Sequence, residues 1–420
     1  MPGLRLVSSL LLSLLVAPAL ADSLQENMRD LHSRFSLALY QSLSAGQNRT
    51  NLVLSPLSVA LSLGLLQLGA RGNTLAQLEG TLGYSVREPH VRDFLFLSRS
   101  SLNSSEGVKL LQTCSLLVQS SVQVQPDFLH SAAAWFSANV VQANFSQTTG
   151  RELRERKHDE RKHDEPWASS GGGGSSSGEL SGSGDPQAPD APWWPARAQM
   201  ALVNMVSFRG AWQKQFVFTH TQNLPFQLAD GSAIKVPMMH QASDVRYGQF
   251  RASSEQRYTV LELPYLGRAL SLQLVLPSDR RTPLWALEAQ LGPRQLWAWD
   301  AGLRRTRMDI FIPRFKMQNR FNLRSVLPAM GIADALDPTA ADFSRISDEG
   351  LYVSDAFHDA RMEVTEGGTK AAAATAMVLL KRSRAPVFKA DRPFLFLLRQ
   401  SKTGSVLFMG RVMNPVTQSS

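Results

Sequence analysis

The side chains best placed to take part in chemistry lie near the C-terminal end, in the run Lys381-Arg382-Ser383-Arg384. A trypsin-like serine protease selects arginine through a carboxylate in its S1 pocket, and its serine attacks that arginine's carbonyl. The run therefore offers itself as bait, with Arg382-Ser383 or Arg384-Ala385 as the bond to be cut. Groups that could make the chain itself a catalyst are missing from the sequence. It has no H-E-x-x-H, no G-x-S-x-G, no G-x-G-x-x-G and no P-loop. Cys114 is the single cysteine, so it has no internal disulfide partner and no paired thiolate for a metal. His158 and His163 sit in a duplicated R-K-H-D-E. Mixed charge of that kind reads as a solvated face rather than a metal site. The expectation is a protein that is not an enzyme and uses no cofactor and no metal.

The bait must be presented by something, and the preceding residues suggest what. Glu366-Gly367-Gly368-Thr369-Lys370 leads into Ala371-Ala372-Ala373-Ala374-Thr375. Alanine runs favour helix. Here the run ends in β-branched Val378, and Pro386 follows shortly after, with no polar stripe over the apolar residues. Read as a strand, Thr369, Ala371, Ala373 and Thr375 share one face, and Lys370 begins the other. A face of such small side chains can enter a crowded sheet interior without clash. The paired glycines form a permissive hinge at the entrance. A baited loop able to become a strand is a protease trap.

E-G-G-T-K-A-A-A-A-T, followed by an arginine and then by D-R-P-F-L-F, resembles the hinge, reactive loop and C-terminal signature of the serpins. Within that family D-R-P-F-L-F and L-F-M-G-R-V-M-N-P resemble clade E, the plasminogen-activator-inhibitor and nexin group. The resemblance implies an α+β serpin fold, with three β-sheets, about eight or nine helices and an exposed reactive loop over residues 366–386. It implies a suicide inhibitor that ends in a covalent acyl complex with a trypsin-like serine protease. By the family's spacing the reactive bond is Arg382-Ser383, sixteen residues beyond Glu366, with Arg384 as the alternative bait. Residues Glu366 to Thr369 and Ala371 to Thr375 make up the hinge. Ser55, Ser58, Asn204 and His358 fall where the family has its shutter beneath the central sheet. Trp212 falls at the breach, where the loop first enters.

The rest of the chain carries elements that could support this. Leu24 to Leu43 has helical spacing. Ser55-Pro56 is a helix start, and the helix that follows is apolar nearly all round, hence buried. Residues Leu75–Leu82, His90–Leu102 and Asn322–Gly331 are expected as helices. Val108–Val124, Ala269–Pro277 and the residues before Pro313 are expected as strands, with a long strand running from Gly350 into the loop. Apolar runs on either side of Lys402-Thr403-Gly404 predict a buried β-hairpin.

From 147 to 197 the composition shifts to charge repeats and a Gly/Ser/Pro tract. This reads as a low-complexity, disordered insertion within a single domain of residues 22–420. The family places an amphipathic helix here that this sequence does not show. The alternative function is therefore a non-inhibitory or vestigial serpin acting as a binding protein.

Residues 1–21 read as a secretory signal peptide, with an apolar run and Ala19-Leu20-Ala21 before Asp22. The expected location is the extracellular space, with no membrane span. Three N-x-[ST] sequons at Asn48, Asn103 and Asn144 agree with secretion. A net charge of +9 allows a glycosaminoglycan partner. The densest basic groups are Arg304-Arg305-Thr306-Arg307 and the bait run, whereas Arg92 and Arg99 alone occupy the segment that carries heparin-binding residues in some serpins. No nucleic-acid partner is expected, and the chain is expected to be a monomer.

Overall fold

The computed structural model describes residues 3–46, 49–103, 107–144, 200–252, 254–367 and 385–416. The bait run, the hinge beyond Gly367, Asn48 and the 147–197 segment lie outside the described residues. Among the described residues there are seven α-helices and fourteen strands. Helix α1 spans Gly3–Ser44 and includes the segment expected from Leu24 to Leu43.

Helix α2, Pro56–Gly69, begins as the sequence requires. Ser55 is its N-cap in an extended conformation, its hydroxyl accepts from the Ser58 amide, and Pro56 takes the first helical position. With apolar residues on every side, α2 is buried along its whole length except at Leu68. Helices α3 (Gly72–Leu82), α4 (Pro89–Asn103) and α5 (Pro126–Phe136) follow. The short α6 (Leu284–Glu288) and α7 (Pro293–Gly302) complete the set. The helix expected over 322–331 is instead two 3₁₀ turns, Leu323–Ser325 and Pro328–Met330. Pro328 has no amide to donate, and Gly331 ends the segment at φ 103.

One sheet has five strands in the order β10-β11-β4-β2-β3. These are β10 (Phe315–Asn322), β11 (Val353–Val364), β4 (Met200–Gly210), β2 (Val108–Gln119) and β3 (Asn139–Ala143). Strands β11 and β4 run parallel at its centre, paired from Val353 to Met362 against Met200 to Phe208. The second sheet joins nine strands: β1 (Leu52–Leu54), β14 (Val406–Val412), β13 (Phe394–Gln400), β8 (Leu270–Pro277), β7 (Arg257–Pro264), β6 (Ala233–Arg251), β9 (Arg304–Pro313) and β12 (Val387–Lys389) in that order, with β5 (Gln222–Gln227) beside β6.

The nineteen-residue β6 explains why two hydrogen-bonded sheets appear where three are expected. Its first part pairs with β5, its middle with β9 and its last part with β7, so it carries one sheet into the next. The β13–β14 hairpin is buried at all fourteen positions. Gly410 is required there, because a Cβ would meet the Leu52 carbonyl at 2.1 Å. The core fills the space between the two sheets and around α2.

Candidate functional site

The parallel seam between β11 and β4 brings the sequence-predicted shutter together. His358 and Asn204 are register partners across it, and Cys114 is the register partner of Asn204 on the far side. All three face α2, whose Ser58 and Ser62 lie one turn apart on the same side. The Ser58 hydroxyl donates to Asn204 Oδ1 at 2.6 Å. Asn204 Nδ2 donates to the Ser58 carbonyl at 2.8 Å and to Ser62 Oγ at 2.6 Å. The Ser55 amide donates to His358 Nε2 at 2.9 Å, which leaves the proton on Nδ1, 3.2 Å from Asn204 Oδ1. His358 Nδ1 therefore donates to Asn204, and the imidazole is neutral. Complete burial pushes its pKa down to about 4, against a smaller upward pull from Asp359.

Ser55, Ser58, Asn204 and His358 thus form one buried, hydrogen-bonded network. Ser62 is a further member that sequence reasoning missed. It also contacts Cys114 Sγ at 3.3 Å, and Cys114 is buried as expected of a free thiol. Its signal was present in the sequence, four residues after Ser58 on a helix.

Trp212, the residue expected at the breach, lies at the other end of the seam. Trp212 Nε1 donates to the Thr365 carbonyl at 2.7 Å, immediately before the hinge. Its indole stacks on Tyr265, with ring centres 4.3 Å apart, and meets Phe216 edge-on. The Phe216 amide donates to the Glu366 carbonyl at 3.0 Å. The Glu366 carboxylate is buried, accepts from Thr221 Oγ1 at 2.9 Å and lies 3.8 Å from Arg314. Arg209 and Glu363 pair across the seam between these two clusters. Thr221 and Arg314 carried no local signal, being ordinary residues from other strands and turns.

Gly367 is the last described residue of the hinge, and the chain resumes at Ala385. Gly368, Thr369, Ala371, Ala372, Ala373, Ala374, Thr375, Arg382, Ser383 and Arg384 lie outside the described residues. Of the sequons, Asn103 closes α4 and Asn144 follows β3. Among the described residues no cluster of His, Cys, Asp and Glu could hold a metal ion. No described helix is long and apolar enough to cross a membrane.

A central parallel pair closed by buried polar ties, with a hinge clamped at its end, defines a class of protein. The family model "Serpin (serine protease inhibitor)" matches residues 30–154 and 193–415, and the chain belongs to the serpin family, within clade E. The chain is 53% identical over 396 residues to probable serpin E3 of Danio rerio, covering 93% of each. That agrees with the run K-R-S-R-x-P-x-F-K-A-D-R-P-F, which resembles the third member of the clade. It is 31% identical to plasminogen activator inhibitor 1 of Bos taurus over 393 residues, 93% of each chain. Its fold is similar to that of native protease nexin-1 with heparin, at a TM-score of 0.79 and 27% identity, covering 93% of this chain and all of that one. The family model skips residues 155–192, within the segment whose composition departs from the rest.

Proposed function

We propose that this chain is a secreted suicide inhibitor of an arginine-specific, trypsin-like serine protease, with Arg382-Ser383 as the reactive bond. The observation that carries this reading is the position of the hinge relative to the β11–β4 seam. The chain leaves β11 at Val364 and turns at Thr365 to Gly367 beside β4. A strand fed back from that turn would run antiparallel to both β11 and β4 and fit between them. Parallel pairing is slightly the weaker kind, so exchanging one parallel ladder for two antiparallel ones favours insertion.

The chemistry begins on the protease. Its serine oxygen attacks the Arg382 carbonyl carbon, the Arg382–Ser383 bond breaks, and the Ser383 amine departs with a proton. An ester joins the protease to Arg382. The freed loop inserts with Thr369, Ala371, Ala373 and Thr375 inward, and the sheet parts by roughly 4.8 Å to admit it. Seventeen extended residues carry the ester about 55 Å. For the strands to separate, His358 Nδ1 must release Asn204 Oδ1, and Trp212 must release Thr365.

Incubation with trypsin followed by a denaturing gel tests this. A covalent band is expected, and a released C-terminal fragment beginning at Ser383. A fragment beginning at Ala385 would move the bait to Arg384. A clipped chain without a covalent band would favour the non-inhibitory reading, toward which the unmatched residues 155–192 point. The polyanion partner suggested by the net charge and by the likeness to a nexin with heparin is a second part of the proposal.

A further inference from the structure

The chain returns from the bait onto an edge strand. It resumes at Ala385, and the Asp309 amide donates to the Pro386 carbonyl at 3.0 Å. Strand β12 then pairs with β9, Val387 against Asp309 and Lys389 against Phe311. Arg382 is five residues before Val387, so the chain holds it within roughly 17 Å of β12. A globular protease of about 230 residues is roughly 45 Å across. One seated on Arg382 therefore overhangs the surface around β12 before any insertion begins.

That surface is the outer face of β6, β9 and β12. Along β9 the buried Met308, Ile310 and Ile312 alternate with Arg305, Arg307, Asp309 and Phe311, which face outward. Two features set the face apart. The first is apolar. Val387 is 59% exposed, and Phe218, in the 3₁₀ turn before β5, is 69% exposed. Scattered singly, such residues need no explanation. Here a row of rings joins them. His220 ends the turn that Phe218 begins and lies 6.3 Å from His240, whose ring stacks on Phe311 at 4.4 Å, next to β12. The second feature is charge. Arg304, Arg305 and Arg307 are exposed, and among the described residues their one carboxylate partner is Asp244, 3.4 Å from Arg305. Arg307 is two residues, about 7 Å, along β9 from the register partner of Val387.

We infer that this face is a docking surface for the target protease, and that the target carries acidic residues around its substrate cleft. The inference deepens the proposed function and rests on it for seating a protease at Arg382. An arginine bait is accepted by every trypsin-like pocket, so choice among such proteases needs a second surface. Apolar anchors beside unpaired charge suit a specific interface better than a solvated sheet face. The arginines raise the rate of encounter with an acidic partner, whereas acylation and insertion follow at the bait and the seam.

The test measures the second-order rate of covalent complex formation by the full-length protein with anionic and with cationic trypsin, which share the arginine-selecting pocket and differ in surface charge. At low salt the wild-type chain is expected to react about fivefold faster, or more, with the anionic enzyme. The Arg305→Gln/Arg307→Gln pair should bring the two rates within about twofold of each other, with the amount of inhibitor consumed per protease unchanged. Arg71→Gln/Arg87→Gln removes the same charge from exposed positions on either side of α3 and should leave the preference in place. Phe218→Ser should slow both enzymes by about threefold or more. If the two arginine pairs act alike, net charge rather than this face steers the protease, and the inference is overturned. Equal rates for the wild type, or no effect of Phe218→Ser, overturn it as well. Binding to anionic trypsin with alanine in place of its nucleophilic serine gives the same reading without acylation. A chain that is clipped with no covalent complex, yet binds that enzyme in the pattern above, loses the inhibitor reading and keeps the docking face.

Discussion

The two sheets differ in the polar side-chain ties that cross their strands. In the β13–β14 hairpin every side chain is buried, most are apolar, and the charges present are locked into pairs. Arg411 donates from Nη1 to both Glu288 oxygens at 3.1 and 3.2 Å, and Tyr40 donates to the same carboxylate. Arg399 holds Asp300 through two bonds at 2.9 and 3.1 Å. Along the β4–β11 seam, side-chain ties add to the parallel backbone ladder and the buried apolar residues: Asn204 with His358, Trp212 with Thr365, Ser354 with the Met200 carbonyl, and Arg209 with Glu363. Hydrogen bonds across a seam can be remade to an arriving strand, which an ion pair buried under a hairpin cannot. On the proposed mechanism, the seam is the place that reopens and the hairpin stays closed.

The largest effect that would sharpen this contrast is on the loop. Thr369→Arg puts a long charged side chain on the inward face of the inserting strand. Complete loss of the covalent protease complex is expected, with cleavage retained; a persistent complex would show that insertion does not use that face. In the closed sheet, Arg411→Ala leaves Glu288 buried without its cation, and unfolding in urea should show a loss of about 3–5 kcal/mol. A loss confined to a few tenths would mean that this sheet is no more firmly held than the seam.

The shutter should also respond to pH. His358 has its pKa lowered to about 4 by burial, so the unfolded chain, titrating near 6.5, takes up the proton first. The stability it contributes is present above about pH 6.5 and is lost as pH falls toward 4, at no more than about 1.4 kcal/mol per pH unit. His32, beneath β14 and lowered to about 4 by its own burial, acts with the same sign. Urea titrations of His358→Gln should therefore show a shallower pH slope over that window, though not a flat one. An unchanged slope would remove His358 from the account. Smallest is Asn204→Ala, which strands Ser58, Ser62 and His358 and should cost about 1–3 kcal/mol. Amide exchange along β4 should rise more than along β13; a uniform rise would erase the distinction between the sheets.

How far these regions could be read from the sequence follows from how local their signals are. The Ser55-Pro56 cap, the β13–β14 hairpin around Gly404 and the long strand into the hinge are written in neighbouring residues, and they stand where expected. The helix expected over 322–331 fails for an equally local reason, the proline inside it. The shutter is not local. Ser58 and Asn204 are 146 residues apart, and a buried serine or asparagine looks the same whether or not it joins a network. Those residues could be named only through the family resemblance. Thr221 and Arg314, which hold Glu366, match no motif quoted for that resemblance and emerge only when β10 and the turn before β5 are brought to the hinge.

The central claim, that the β4–β11 seam receives the loop as a new strand, is tested most directly by comparing thermal unfolding before and after cleavage at Arg382. Brief trypsin treatment gives a product identified by a new N-terminus at Ser383. The account predicts a clearly higher unfolding midpoint for the cleaved chain, because the added strand gains hydrogen bonds along both edges. An unchanged or lower midpoint would contradict it.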